Sequence, residues 1–303
     1  MLDKQPSIGR FAPSPTGPLH LGSLYTALAG FLQARSQQGQ WRLRIDDLDT
    51  PRNVNGAADA ILTTLDIFGL YWDGEVYYQS RHLAIYNDIL SDLQRNKFVY
   101  PCTCSRKMLM ENASENTPSD IYPGLCRHLN SPPAGSHALR IKTDQRIISF
   151  QDELQGLIVH NLAAQDGDFI VKRKDGIIAY QFAVVVDDKL QQVNHIVRGF
   201  DLLEATPKQI YLQQLLGLAT PCYMHVPVIV DGQGFKLSKQ TQATAVDLAA
   251  PGRVIFELLV LLRQTPPLEL QRASVDDLLA WAIAHWRPEL LQAKQAVCCQ
   301  SSD

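Results

Sequence analysis

The chain has no apolar run near the ~20 residues that a bilayer span needs, and its opening, MLDKQPSIGRF, lacks the apolar core of a secretory leader. It has no large excess of either charge: 28 Lys and Arg against 31 Asp and Glu leave a formal net charge of −3. No global basic field advertises a nucleic acid, so such a partner would have to meet a local basic face. There is no internal repeat and no long low-complexity linker. Cysteine is sparse, six in all, and three of them crowd into one segment, which argues against a disulfide framework and for a reducing, cytoplasmic setting. What is present is a 46% hydrophobic, 19% charged chain of 303 residues, long enough for one large or two ordinary domains.

The organising stretch is Arg10–Ser23, RFAPSPTGPLHLGS. Ile8–Phe11 reads as the end of a short buried strand. Pro13, Pro15 and Pro18 forbid helix beyond it, and Gly17 allows a tight turn. Leu24, Leu28, Phe31 and Leu32 then recur at helical spacing, so a helix opens near His20 or Leu21. A strand, a turn and a helix N-terminus present free backbone N–H groups and a positive dipole end to an anion. His20 stands at that mouth and can donate to a phosphate oxygen.

Trp41–Ile45 reads as a second buried strand, ending in Asp46, Asp47 and Asp49. Open α/β sheets place ligands at such carboxyl ends. Asp47 and Asp49 are expected to cap the following turn, and Asp46 to face the site. Asn55–Phe68 and Arg81–Gln94 read as helices, with an aromatic turn at Trp72–Tyr78 between them. From Ala138 the chain is strand-rich, through Ala138–Lys142, Ile147–Phe150, Leu157–His160 and Phe169–Arg173. Tyr180–Val186 carries a polar edge, Tyr180 and Gln181, beside an apolar run ending in Asp187 and Asp188. Ile196–Arg198 is a short strand delivering Arg198 to a strand end. Thr206-Pro207 reads as an N-cap with proline at the first helical position. Tyr223–Val230 is another strand, followed by a tight turn at 231–234 and a basic loop, Lys236–Lys239. The remainder reads as helical, at Val254–Leu262 and Val275–Trp286.

Between these halves, Cys102-x-Cys104 is followed by Tyr122-x-x-x-Cys126-x-His128. Closely spaced thiolates joined by a third soft ligand from a loop suit tetrahedral zinc in a structural role. Chemistry leaves the fourth ligand open: neutral His128 is the commoner donor, whereas Tyr122 must first lose a proton of pKa about 10.

Four motifs in order, RFAPSPTGPLHLGS, RIDD at Arg44–Asp47, VRG at Val197–Gly199 and KLSK at Lys236–Lys239, resemble the catalytic half of class I glutamyl-tRNA synthetases. The resemblance spans roughly residues 8–245. Members of that family continue into a large helical anticodon-binding domain for which this chain has no room. The chain is therefore most similar to the shortened paralogues, the glutamyl-Q tRNA(Asp) synthetases.

That resemblance implies an α/β fold: a Rossmann-type nucleotide-binding domain with an inserted zinc-containing segment and a short helical C-terminal region. The expected divisions are 1–98 and 131–245 for the two halves of the catalytic domain, the second including an acceptor-type insertion, 99–130 for zinc and 246–303 for the helical end. It implies activation of L-glutamate by ATP with magnesium, then transfer to queuosine in the anticodon loop of tRNA-Asp, by a monomer. Arg10, Phe11, Ala12, Pro13 and Ser14 would line the glutamate pocket, with Tyr180 and Arg198 completing it. Asp46 would hold the substrate ammonium, one methylene shorter than the glutamate usual in the family. His20, Gly22, Lys236 and Lys239 would meet ATP, with His20 and Lys239 catalytic. Cys102, Cys104, Tyr122 and Cys126 would hold zinc. Two other readings remain at this stage: a truncated synthetase charging tRNA-Glu, and an inactive synthetase-like RNA-binding module.

Overall fold

The computed structural model describes residues 6–111, 121–128, 135–234 and 246–298. Strand β1, Ile8–Phe11, is buried along its whole length. Helix α1, Leu21–Ser36, follows with His20 as its N-cap. Strand β2, Gln40–Ile45, then pairs parallel with β1, Phe11 opposite Leu43. Parallel neighbours need a crossover, and α1 supplies it. Trp41 is fully buried between Phe11, stacked at 6.1 Å, and Phe31, edge-on at 5.4 Å.

Helix α2, Ala57–Ile67, ends before Gly69, whose φ of +65° suits a residue without Cβ. Tyr77–Tyr78, expected as part of a turn, forms the short strand β3 on the edge of β2. Helix α3, Leu83–Arg95, leads to β4, Val99–Cys102, and the short α4, Arg106–Glu111. Strands β5, Ala138–Ile141, β6, Ile147–Asp152, and β7, Gly156–Asn161, precede the one-turn α5, Leu162–Gln165, and β8, Ile170–Lys172. Strands β4, β5 and β8 form an antiparallel sheet.

The run from Tyr180 is helical: α6 spans Tyr180–Leu190. Three consecutive valines would suit a strand equally, but Phe182–Asp188 is buried on every side, and an all-round buried helix has no polar face to betray its period. Strand β9, His195–Gly199, is fully buried. Helix α7, Thr206–Leu215, has Ala205 as its N-cap, so Thr206 is not the cap expected. A 3-10 segment, Phe200–Ala205, already turns the chain helically before it, and the Thr206 hydroxyl is engaged elsewhere, as described below. Pro227 divides the next apolar run into β10, Cys222–Val226, and β11, Val228–Val230. β10 lies between β9 and β6, parallel to both.

Helices α8, Pro251–Leu261, and α9, Val275–Ala284, pack against α1 in one apolar core, and Trp286 Nε1 donates to Gln33 Oε1 at 2.6 Å. Ala296–Cys298, expected in a helical end, instead forms β12, parallel to β11. A second core lies between α3, α6, α7 and the central strands. No helix among the described residues is long and apolar enough to cross a membrane.

Candidate active site

The carboxyl ends of β1 and β9 and the N-termini of α1 and α6 surround a cavity of about 320 Å³. Arg10 through Ser14, His20, Gly22, Tyr180 and Arg198 all line it. His20 spans the helix mouth: its Nδ1 accepts the Ser23 N–H at 3.3 Å and its Nε2 lies 3.0 Å from Ser23 Oγ. Tyr180, the first residue of α6, is partly exposed on the opposite wall. Lys236 and Lys239 fall outside the described residues. Asp201 is the one carboxylate among the described lining residues, and sequence reasoning missed it. A larger cavity of about 660 Å³ sits at the edge of β2 and β3, beside Arg42, Tyr77 and His82, and includes none of the predicted site residues that are described.

The two arginines of the cavity are held in different ways. Arg10, 5% exposed, gives its Nε–H to Asp188 Oδ1 at 3.2 Å. The same oxygen receives Arg44 Nη1 at 2.7 Å, so Asp188 bridges two guanidinium groups. Burial works against its charge, but the two arginines prevail and hold its carboxyl below the ordinary range. Arg198, 3% exposed, meets no carboxylate among the described residues. Its Nε, Nη1 and Nη2 donate to His225 Nε2 at 2.9 Å, Gln209 Oε1 at 2.8 Å and Thr206 Oγ1 at 2.7 Å.

Asp46 does not line the cavity. Residues two apart on an extended chain share a face, and its Oδ1 accepts Arg44 Nε at 2.7 Å in the layer behind. Its backbone N–H donates to Pro13 O, so it still braces the cavity's wall. Burial pushes its carboxyl up to about 6, although Arg44 opposes this. Asp187, also buried and raised by burial, accepts from Tyr77, Gln79 and Tyr86. Asp47 and Asp49 serve neighbouring loops: Asp47 takes both the N–H and the hydroxyl of Ser80, while Asp49 pairs with Arg52 and Arg173. The pair Asp187-Asp188 in an apolar run was the available signal for this network, because buried carboxylates must find donors.

The cysteine segment forms a separate centre with none of its described residues in either cavity. Cys102, Cys104 and Cys126 bring their sulfurs within 4.8 Å of one another, all buried. Tyr122 Oη lies 3.4 Å from Cys102 Sγ and 3.6 Å from Cys104 Sγ, and the Cys104 and Cys126 sulfurs are 3.5 Å apart. Tetrahedral zinc with bonds of about 2.3 Å to sulfur sets donors roughly 3.5–3.8 Å apart, so the group fits such an ion. His128 is exposed and outside the cluster. Arg140 donates to Cys102 Sγ at 3.3 Å and lies over the Tyr122 ring, placing positive charge beside the sulfurs. Burial pushes the Cys104 thiol up to about 11, whereas at Cys126 hydrogen bonds from the backbone and Tyr122 overcome burial and bring it down to about 7.

A cavity at the carboxyl ends of parallel strands lies where open α/β sheets place their ligands. A model of the family "tRNA synthetases class I (E and Q), catalytic domain" matches residues 8–254, and the chain belongs to that family. The Glutamyl-Q tRNA(Asp) synthetase of Aromatoleum aromaticum is 48% identical over 293 residues, covering 95% of this chain and 93% of that protein. Its counterpart in Methylococcus capsulatus is 48% identical over 282 residues, 93% of this chain and 91% of that one. The likeness to the glutamyl-Q tRNA(Asp) synthetases thus extends well beyond the four motifs. The fold matches a glutamate tRNA ligase from Elizabethkingia meningosepticum with a TM-score of 0.80 at 24% identity, over 97% of this chain and 67% of that one.

Proposed function

We propose that the chain is a ligase that activates L-glutamate with ATP and transfers it to the queuosine base in the anticodon loop of tRNA-Asp. The observation that carries the reading is the cavity wall: two buried arginines line it beside the N-terminus of α1, one of them without a carboxylate partner among the described residues. Such a wall suits a dicarboxylic amino acid beside a polyphosphate.

In the first step an oxygen of the glutamate α-carboxylate attacks the α-phosphorus of ATP. The new P–O bond forms as the bond to the β-bridging oxygen breaks, releasing pyrophosphate. Arg10 and Arg198 orient glutamate, within the wall formed by Phe11, Ala12, Pro13, Ser14 and Tyr180. His20, Gly22, Lys236 and Lys239 take the phosphate end, His20 and Lys239 stabilising charge as it shifts. Asp46 favours the ammonium from behind that wall. Magnesium accompanies ATP as part of the substrate and offsets its charge. In the second step a queuosine hydroxyl attacks the activated carbonyl and AMP leaves. The inserted segment holds one structural zinc through Cys102, Cys104, Tyr122 and Cys126, on the strength of the donor spacing.

The experiment is acylation with labelled glutamate and ATP of queuosine-containing tRNA-Asp, unmodified tRNA-Asp and tRNA-Glu in parallel. Label on the queuosine tRNA alone is expected. Label on tRNA-Glu would replace the acceptor, and absence of glutamate-dependent pyrophosphate exchange would overturn the reading altogether.

A further inference from the structure

Arg198 is the one cavity arginine whose described partners are all neutral: an imidazole nitrogen, an amide oxygen and a hydroxyl oxygen. A buried guanidinium without a counterion keeps its full charge for an incoming anion, but it also has no ion pair to fix its direction. Direction must come from the acceptors, and the one at Nε is unusual. An imidazole can accept there only as the tautomer whose proton sits on the other nitrogen.

The sheet supplies that condition. In the parallel register of β9 and β10, His225 lies opposite Arg198; β10 also pairs with β6, where Tyr223 lies opposite Asp152. Asp152 Oδ2 is 2.6 Å from His225 Nδ1, and both residues are fully buried. Asp152 Oδ1 accepts the backbone N–H groups of Leu154, Gln155 and His225, so its carboxylate is held in place from four donors. Against burial, the hydrogen bonds from His225 and the backbone keep Asp152 below the ordinary carboxylate range. An ionised Asp152 accepts the hydrogen bond of Nδ1–H, which keeps the proton on Nδ1 and leaves the Nε2 lone pair facing Arg198.

We propose that Asp152 and His225 form a positioning pair that aims Arg198 into the glutamate cavity by fixing the His225 tautomer. The inference rests on the glutamate-activating reading of that cavity. Neither residue lines it, so both act through Arg198 and neither is catalytic. Three strands contribute one member each: Asp152 orients His225, His225 orients Arg198, and the remaining N–H on each Nη stays available to a carboxylate. A carboxylate in place of His225 would fix Arg198 equally well but would compete with the substrate for its charge.

The test is Asp152→Asn. Its amide would present a donor to Nδ1, drive the proton to Nε2 and set two N–H groups against each other at Arg198. In glutamate-dependent pyrophosphate exchange, the KM for glutamate is expected to rise on the order of tenfold, as for loss of one charge-assisted hydrogen bond, with the KM for ATP unchanged. In an Arg198→Lys background, which lacks the Nε–H, the same substitution is expected to have no further effect. An unchanged glutamate KM, or the same fold-change in both backgrounds, would overturn the proposal. If Asp152→Asn does not fold, His225→Gln is compared with His225→Ala: the glutamine oxygen can reach Arg198 Nε, so a KM no better than that of His225→Ala overturns it. Ring 15N shifts of His225 in the unaltered protein need no substrate. They are expected to report the Nδ1–H form, and an Nε2–H form would overturn the pair. Absent pyrophosphate exchange in the unaltered protein instead fails the functional reading, and the 15N shifts then decide the pair alone.

Discussion

Asp46 shows how one buried carboxylate couples the site to pH. Burial pushes it up to about 6, above the value of an unfolded aspartate, with Arg44 limiting the rise. Because the folded value is the higher one, taking up a proton on acidification favours the fold as far as this group is concerned. On the proposed reading its effect on activity has the opposite sign: below about pH 6 the carboxyl would lose the charge that favours a substrate ammonium. Glutamate-dependent pyrophosphate exchange should therefore fall below about pH 6 without a matching loss of secondary structure, and Asp46→Asn should be slower at neutral pH and lack that limb. A limb that persists in Asp46→Asn would assign it elsewhere. The lining residues between Arg10 and Gly22 were legible from sequence because proline, glycine and helix-opening signals are local. Asp46 stands behind the lining because its partner, Arg44, lies two residues back on the same face, and a strand end alone does not say whether a carboxylate turns to the ligand or to its neighbour. Asp152, His225 and Gln209 were invisible for a related reason: they meet Arg198 only through strand register and helix packing, and the spacing between them carries no period.

At the scale of elements, the cysteine segment depends on a contact that no motif describes. Tyr122 and Gly167 form an isolated bridge between the cysteine segment and the loop before β8, and the Tyr122 N–H donates to Asp166 O. Gly167 has φ of +67°, and a Cβ there would lie 2.4 Å from Tyr122 O. The backbone oxygen cannot rotate away as a side chain would, so Gly167→Ala must move Tyr122. The left-handed conformation alone should cost on the order of 1–2 kcal/mol. Gly167→Ala is expected to lower both melting temperature and the zinc-to-protein ratio, while Gly176→Ala, a left-handed glycine with open space around it, should lower only the first. Equal metal retention in the two variants would remove Tyr122 from the ligand set. Element boundaries were mostly legible, since β1, α1, β2 and β9 lie where apolar period and breakers put them. The exceptions have separate causes. Helix α6 hides its period because it is buried all round, and β12 is only three residues long and exists through its pairing with β11.

For the whole molecule, the question is how far the cysteine centre and the ligand cavity depend on each other. They share no described residue: the cluster packs with Tyr100 and Leu109, whereas the cavity rests on the core formed by α1, β1, β2, α8 and α9. Metal that binds only the folded chain stabilises it by mass action, about 4 kcal/mol at a free concentration a thousandfold above Kd. That energy enters at Cys102 and Cys104, beside β4, and reaches the rest through the β4, β5 and β8 sheet and through Asp168, which accepts from Tyr100, Arg127 and Thr143. Stripping zinc with a chelator should therefore lower Tm and loosen amide protection first in β4 and β5, Val99–Cys102 and Ala138–Ile141. Glutamate-dependent pyrophosphate exchange, measured below the new transition, should persist within about twofold, since no cavity residue is displaced. Loss of exchange in step with metal would mean that the two centres are coupled across the sheet, and an unchanged Tm in demonstrably zinc-free protein would mean that the cluster holds no structural ion.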